Sequence, residues 1–324
     1  AGGKLEKFVY ELPKIGNEQV DIKVDYCGIC HSDLSMINNE WGMTQYPLVP
    51  GHEIVGEIVA IGDEVKNLKV GDKVGLGWFS GSCMHCTQCM DGSQHLCGNA
   101  EQTIVSRHGG FADFVRSHWS WAIPLPKEVD MAKAGPLFCG GITVFNPIIL
   151  AGVKPMDKVG VIGIGGLGHM ALKFLSAWGC EVIAFSSNPA KKEQILKMGA
   201  NKVINSRNPE ELESISGSLN FILNTTNVTL NWNSYLVTLA PKGRFHNVGA
   251  VLEPMAIPAF SLIGGEKSVS GSPLGSIALT RTMLDFCVRH NIYPIVEEFK
   301  MADVNKAIKH LEDGKARYRI VLKI

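Results

Sequence analysis

Apolar residues near the start of the chain recur at every second position. Val20, Ile22, Val24 and Tyr26 alternate with polar neighbours, and the runs HEIVGEIVAIG and DKVGLGWF follow with glycine punctuation. Short alternating runs predict half-buried strands, so residues 19–79 read as a compact β-rich domain. Near Lys158 the rhythm changes. An apolar strand KVGVIGIG leads into an amphipathic helix from Leu167 to Trp178, then strand EVIAFS, a helix from Ala190 to Met198, and strands KVINS, LNFILNT and RFHNVG. Alternating strands and helices predict a parallel, doubly wound sheet. Beyond Pro273 the pattern predicts helices over Ile277–Arg289 and Val304–Leu311, then a terminal strand RYRIVLKI with Tyr318, Ile320 and Leu322 on one face. There is no internal repeat and no Pro/Ser-rich linker, so the two domains should share a close interface, with a cleft where cofactor and substrate meet.

Length agrees with this division, because 324 residues at about 150 per domain make two soluble domains. Charge narrows the partners. Lys+Arg and Asp+Glu are both 31, which removes the basic footprint of a nucleic-acid or anionic-membrane binder and favours small molecules. The most apolar stretch, from Phe138 to Val153, is interrupted by Thr143, Asn146 and Pro147, so no membrane span is expected. No charged segment leads into an apolar run at Ala1, and no signal peptide is expected either. Nine cysteines, several in Cys-x-x-Cys spacing, suit metal binding in a reducing, cytoplasmic setting better than a disulfide framework.

Gly163-Ile164-Gly165-Gly166-Leu167-Gly168 matches G-x-G-x-x-G between a strand and a helix. In that context Gly163 makes the tight turn, Gly165 lets backbone approach a pyrophosphate, and Gly168 closes the helix onto the strand. The helix start supplies N–H donors and a favourable dipole. An acidic residue about 20 positions on would hold a ribose 2′-hydroxyl. The chain instead reads Ser186-Ser187-Asn188-Pro189-Ala190-Lys191-Lys192, with no carboxylate between Glu181 and Glu193. Hydroxyls and ammonium groups suit a 2′-phosphate, with Ser187 and Lys192 as its main donors, so NADP(H) is the expected cofactor.

Cys83, Cys86, Cys89 and Cys97 offer four thiolates on a short glycine-bounded loop. Four thiolates close a tetrahedral Zn²⁺ site with no open position, which implies a structural lobe; iron or free thiols are the alternatives. His85 and His95, close by, read as surface residues. A second constellation is scattered: Cys27, Cys30 and His31, then His52 and Glu53, then Cys139. Two thiolates and an imidazole leave a fourth position for water or a carbonyl oxygen, as in catalytic zinc sites. By spacing alone Cys27 and Cys30 are equally a redox pair or half of a closed site, and His31 competes with His52.

CGICHSD, PGHE, the four-cysteine lobe, LFCGGIT and GIGGLG occur in an order and spacing that resembles the zinc-dependent medium-chain alcohol dehydrogenases over essentially the whole chain. NNEWGMTQYPLVPGHE, AFSSNPAK, VSGSP and GKARYRIVL resemble the cinnamyl alcohol dehydrogenase group, and within it the bacterial NADPH-dependent broad-range aldehyde reductases. The resemblance implies Cys30, His52 and Cys139 as catalytic zinc ligands, with Cys27 a buried strand residue. It implies Glu53 as a carboxylate able to enter the zinc shell, Asp33 as partner of the ligand imidazole, and Ser32 as the hydroxyl that bonds the substrate oxygen. Thr143, Thr225, Gly249 and Ser272 fall at cofactor positions, and Trp41, Met43, Trp78 and Leu274 at substrate-pocket positions. Many plant members carry a histidine where this chain has Ser35. That departure leaves solvent, reached through Ser32 and a cofactor ribose hydroxyl, as the expected proton outlet.

The resemblance further implies an α/β architecture: a GroES-like catalytic domain over 1–146 with a structural zinc lobe at 83–97, a Rossmann NADP-binding domain over 147–275, and a return segment over 276–324. It implies two Zn²⁺ per chain and homodimers that pair Rossmann sheets edge to edge, with 267–271 as such an edge. The expected function is reversible reduction of uncharged, medium-size or aromatic aldehydes with NADPH. A zinc-free quinone reductase or a non-catalytic binding protein on the same fold would not need Cys30, His52, Cys139 and Ser32 together, and one closed cysteine cluster with zero net charge disfavours a zinc-ribbon nucleic-acid binder.

Overall fold

A computed structural model describes residues 1–324. The chain packs into two units, Ala1–Ile142 with Gly275–Ile324, and Thr143–Leu274. In the first unit a seven-stranded sheet is centred on Gln19–Ile29, which pairs antiparallel with Glu53–Ile61, Phe114–His118 and the terminal strand Arg319–Lys323. The first half of Gln19–Ile29 alternates, with Val20, Ile22 and Val24 buried. Its last residues, Cys27 to Ile29, are buried without alternation because Arg319–Lys323 and Glu53–Ile61 flank them on both edges.

The terminal strand differs from its expected one-sided burial, since Arg319, Ile320, Val321 and Leu322 are all buried. It lies inside the sheet, between Gln19–Ile29 and a parallel strand Val296–Lys300 that the sequence pattern does not announce. The β-rich stretch is also interrupted. At Cys30 the backbone is extended and the chain turns into a helix, His31–Asn38, ending at Asn39 in the left-handed region. Asp33 fixes this start, its carboxylate accepting the Cys30 N–H at 2.9 Å. The helix escapes periodicity because polar Asp33 and Ser35 are buried with Leu34, Met36 and Ile37.

The second unit holds a six-stranded parallel sheet in the order Lys202–Asn205, Glu181–Ser186, Lys158–Ile162, Leu219–Asn224, Leu239–Asn247, Ser268–Gly271. Chain direction across the sheet reverses between Lys158–Ile162 and Leu219–Asn224, and the crevice beyond the carboxyl ends of those strands is where doubly wound sheets take ligands. The glycine loop 163–168 leaves from that point and enters the helix Gly168–Trp178. Two elements shift from the sequence reading. The strand containing RFHNVG begins earlier, at Leu239, and the helix expected from Ala190 opens as a 3₁₀ turn, Pro189–Lys191, before Lys192–Lys197. Pro189 in the first turn and the Asn188 side chain, which accepts from the Ala190 N–H, set that start. No single helix is long and apolar enough to cross a membrane.

Candidate active site

Ligand atoms of Cys30, His52, Glu53 and Cys139 lie within 4.8 Å of one another, and all four residues are buried. Cys30 stands at the junction of strand and helix, His52 immediately precedes the strand Glu53–Ile61 that Glu53 opens, and Cys139 follows the turn Gly135–Phe138. The Cys30 and Cys139 sulfurs are 3.8 Å apart. That is too far for a disulfide and matches two thiolates at about 2.3 Å from one tetrahedral metal. His52 Nε2 lies 3.2 Å from the Cys139 sulfur, while Nδ1 is 2.9 Å from Asp33 Oδ1. With Asp33 accepting the Nδ1 proton, Nε2 keeps its lone pair for a metal. Asp33 therefore caps the helix through one oxygen and orients the imidazole through the other, which also accepts the Gly51 N–H at 2.9 Å.

Electrostatics favour a cation at this centre. Cys30 is held well below the ordinary thiol range, chiefly by its hydrogen bond with Cys139, and the same bond together with burial raises Cys139. Burial works against charge on His52, but Asp33 outweighs it and the imidazole pKa stands well above its usual value. Burial pushes Glu53 up to about 7 against the opposing charge of Arg319, with which it is paired. Glu53 Oε2 is buried without a hydrogen-bond partner. Gly28 makes room for that carboxylate, since a Cβ there would overlap it. The donor set, its spacing and the orphaned oxygen fit Zn²⁺.

Arg319 escapes sequence reading because strand parity assigns the core face to Tyr318, Ile320 and Leu322. The signal for it is a cation between buried apolar residues in YRIVL. Cys27 lies outside the cluster: it is buried in the strand with its thiol raised by burial, so the redox-pair and closed-site readings fall away. His31 is exposed and does not compete with His52. Ser32 Oγ is 3.8 Å from the Cys30 sulfur, beside the centre, whereas Ser35 is buried and donates to Glu40 Oε2 at 2.7 Å. Trp78 stands edge-on to His52 at 5.0 Å between ring centroids and to Trp41 at 6.0 Å. Met43 is exposed, and Leu274 belongs to the other unit, where its carbonyl accepts from Asn146 at 2.6 Å.

Cys83, Cys86, Cys89 and Cys97 form the second group within 4.8 Å. Sulfur separations of 3.9, 3.8 and 3.6 Å again fit one tetrahedral metal and no disulfide. His85 is exposed, but His95 is half-buried with Nδ1 unpartnered, contrary to its reading as a surface residue, because the turn Gln94–Leu96 folds it against the lobe.

In the second unit Gly163 has φ +85, and a Cβ on Gly168 would collide with the Gly163 carbonyl. Gly165 has nothing near its missing Cβ, leaving its backbone open to a ligand. Ile164, Gly166 and Leu167 complete the loop. Thr225 Oγ1 donates toward the Ile162 and Gly163 carbonyls at 2.9 and 2.6 Å, tying the loop to the next strand exit. A Cβ on Gly249 would overlap Thr226. Thr143 opens this unit half-buried in the helix Gly140–Leu150. Ser186, Ser187, Asn188 and Lys192 follow the second strand, with Ser187, Asn188 and Lys192 exposed. Ser272 Oγ and Ser270 Oγ lie 2.9 Å from the two ring nitrogens of His246, a buried residue that sequence reading passes over inside an apolar strand.

Two units of this architecture, one with a buried Cys2HisGlu centre and one with a glycine-rich strand-to-helix loop, define a zinc-dependent oxidoreductase. Residues 16–127 match the alcohol dehydrogenase GroES-like domain and 166–289 the zinc-binding dehydrogenase model. The chain is 55% identical over 322 residues to aldehyde reductase AdhA of Synechocystis sp., covering 99% of this chain and 96% of that protein. A cinnamyl alcohol dehydrogenase from Sorghum bicolor superposes with TM-score 0.94 at 36% identity, covering 97% of this chain and 92% of that one. One from Helicobacter pylori complexed with NADP(H) gives 0.87 at 34%, covering 95% and 91%. The chain belongs to the zinc-binding alcohol dehydrogenase and aldehyde reductase family.

Proposed function

We propose that the protein reduces uncharged medium-size and aromatic aldehydes to primary alcohols with NADPH, reversibly and over a broad substrate range. The observation that carries this reading is the buried Cys30, His52, Glu53 and Cys139 set with the Ser32 hydroxyl beside it. Residues 1–146 and 276–324 then act as the catalytic domain and 147–275 as the NADP-binding domain. When bound, the zinc ion supplies Lewis acidity toward the carbonyl oxygen and the reduced nicotinamide supplies hydride. Cys30, His52 and Cys139 would hold the metal, Asp33 keeps His52 in the right tautomer, and the Glu53 carboxylate lies close enough to serve as a further ligand. Ser32 hydrogen-bonds the substrate oxygen and gives its proton to the forming alcohol, and a proton from solvent replaces it. Trp41, Trp78 and Met43 shape an apolar substrate site, and Cys83, Cys86, Cys89 and Cys97 hold a second, structural zinc.

Free thiols throughout, including two such clusters, fit a reducing cytoplasmic setting. Homodimer formation fits the second unit. Ser268–Gly271 is the last strand of its sheet, with an unpaired edge, and the neighbouring helix Phe260–Ile263 leaves Phe260 85% and Ile263 67% exposed. Mixing the protein with NADPH and benzaldehyde or butanal, with and without a chelator, tests the activity. Consumption of NADPH that the chelator stops is the expected result, and none with either aldehyde refutes it. Light scattering at the expected dimer mass tests the assembly.

A further inference from the structure

The second and third strands of the parallel sheet end side by side. Asn205 pairs with Ser186, and the Ser206 N–H continues the ladder to the Ser186 carbonyl at 3.3 Å. Continued by one residue, that register sets Ser206 opposite Ser187, with neighbouring strands about 4.8 Å apart, and Arg207 follows one residue further along the same exit, within the reach of an arginine side chain. The Arg207 backbone is held at this exit. Asn205 Oδ1 accepts its N–H at 3.1 Å, and Asn208 caps the following short helix by accepting from the Glu210 N–H at 3.0 Å.

Arg207 is exposed and forms no ion pair with any acidic residue. Neither exit carries a carboxylate: residues 186–192 read SSNPAKK and 202–209 read KVINSRNP. Two acids follow the second exit: Glu210 is exposed, and Glu211 is occupied by the Asn205 N–H at 2.8 Å and by Asn208 at 3.4 Å. An unpaired guanidinium near hydroxyls and ammonium groups is a receptor for a dianion that a bare ribose diol would not need.

We propose that Arg207, next to Ser206 where the two paired strands exit beside Ser187, is a specificity-determining residue that grips the 2′-phosphate of the cofactor. This inference rests on the NADPH reading above and adds the donor that Ser187 and Lys192 lack: a planar fork able to bond two phosphate oxygens at once.

Calorimetry on the full-length protein, with 2′,5′-ADP and 5′-AMP as probes, tests the proposal without turnover. The unaltered protein should bind 2′,5′-ADP more tightly than 5′-AMP. Arg207→Ala should weaken 2′,5′-ADP by about 10- to 100-fold while leaving 5′-AMP unchanged, which also shows that the variant is folded. Arg207→Lys should recover only part of the loss. Equal binding of both probes by the unaltered protein would overturn the NADPH reading and this proposal with it. Arg207→Ala that still prefers 2′,5′-ADP as the unaltered protein does, or that loses both probes alike, overturns the role of Arg207 alone.

Discussion

Removing a carboxylate and a guanidinium from water is costly, and Glu53 and Arg319 offset that cost only as a pair. Arg319→Met should leave the Glu53 carboxyl buried beside two thiols and lower stability by about 3 kcal/mol, whereas adding Glu53→Gln should recover much of the loss. Urea unfolding of the two variants measures this, and equal stability of the single and double variants would refute it. In the proposed mechanism Ser32 acts on chemistry, not stability. Ser32→Ala should slow turnover by about 100-fold or more with little change in unfolding midpoint, and Ser35→Ala should matter much less because its hydroxyl is spent on Glu40. His246 titrates with the fold: burial first, then the Arg244 charge, lower its pKa to about 4 from 6.5. Between those values the unfolded chain binds more protons, so stability present above pH 6.5 is lost as pH falls toward 4. His246→Asn, which does not titrate, should flatten that part of the stability profile relative to the unaltered protein.

Elements differ in how openly the sequence shows them. The strand, loop and helix around GIGGLG are plain because Gly163 takes a positive φ and Gly168 has no room for a Cβ, while Gly165 leaves its backbone open. The helix His31–Asn38 is hidden: its buried face mixes Asp33 and Ser35 with apolar side chains, and its cap is a carboxylate shared with the metal centre. Arg319 is hidden for a related reason, since alternation in the terminal strand marks one face as core and a second buried face has no signature of its own. The cysteine and histidine positions are visible by residue type and spacing, but spacing leaves Cys27 and Cys30 equal; the resemblance selects Cys30, and the turn of the chain there gives the physical reason. The glycine loop yields a prediction at this scale. Gly168→Ala puts a methyl group against the Gly163 carbonyl and must push loop and helix apart, costing about 1–3 kcal/mol and weakening dinucleotide binding. Fluorescence titration with NADPH checks it, and native affinity in a folded variant would sink the steric argument.

At the scale of the molecule, the β-rich start and the β/α alternation are legible because hydrophobic period changes near Lys158. The return of Gly275–Ile324 to the first unit is not legible in periodicity, which says nothing of which sheet a late strand joins; family resemblance implies it, and the antiparallel register of Ile320 to Lys323 on Tyr26 to Ile29 shows the pairing. The first unit carries two metal clusters of opposite character, and their loss should be felt differently. In the lobe four thiolates use every tetrahedral position, and the loop between Cys83 and Cys97 has only a four-residue helix and one 3₁₀ turn to order it. Around Cys30, His52 and Cys139 two sheet strands and a capped helix already fix the ligands. Metal analysis should therefore find two zinc ions per chain. Cys97→Ser should lose one of them and lower the thermal midpoint, because metal binding there is folding free energy. Cys139→Ser should abolish turnover while the midpoint falls much less. A Cys97→Ser protein that kept both zinc ions and its full thermal midpoint would remove the structural assignment, and an active Cys139→Ser protein would remove the catalytic one.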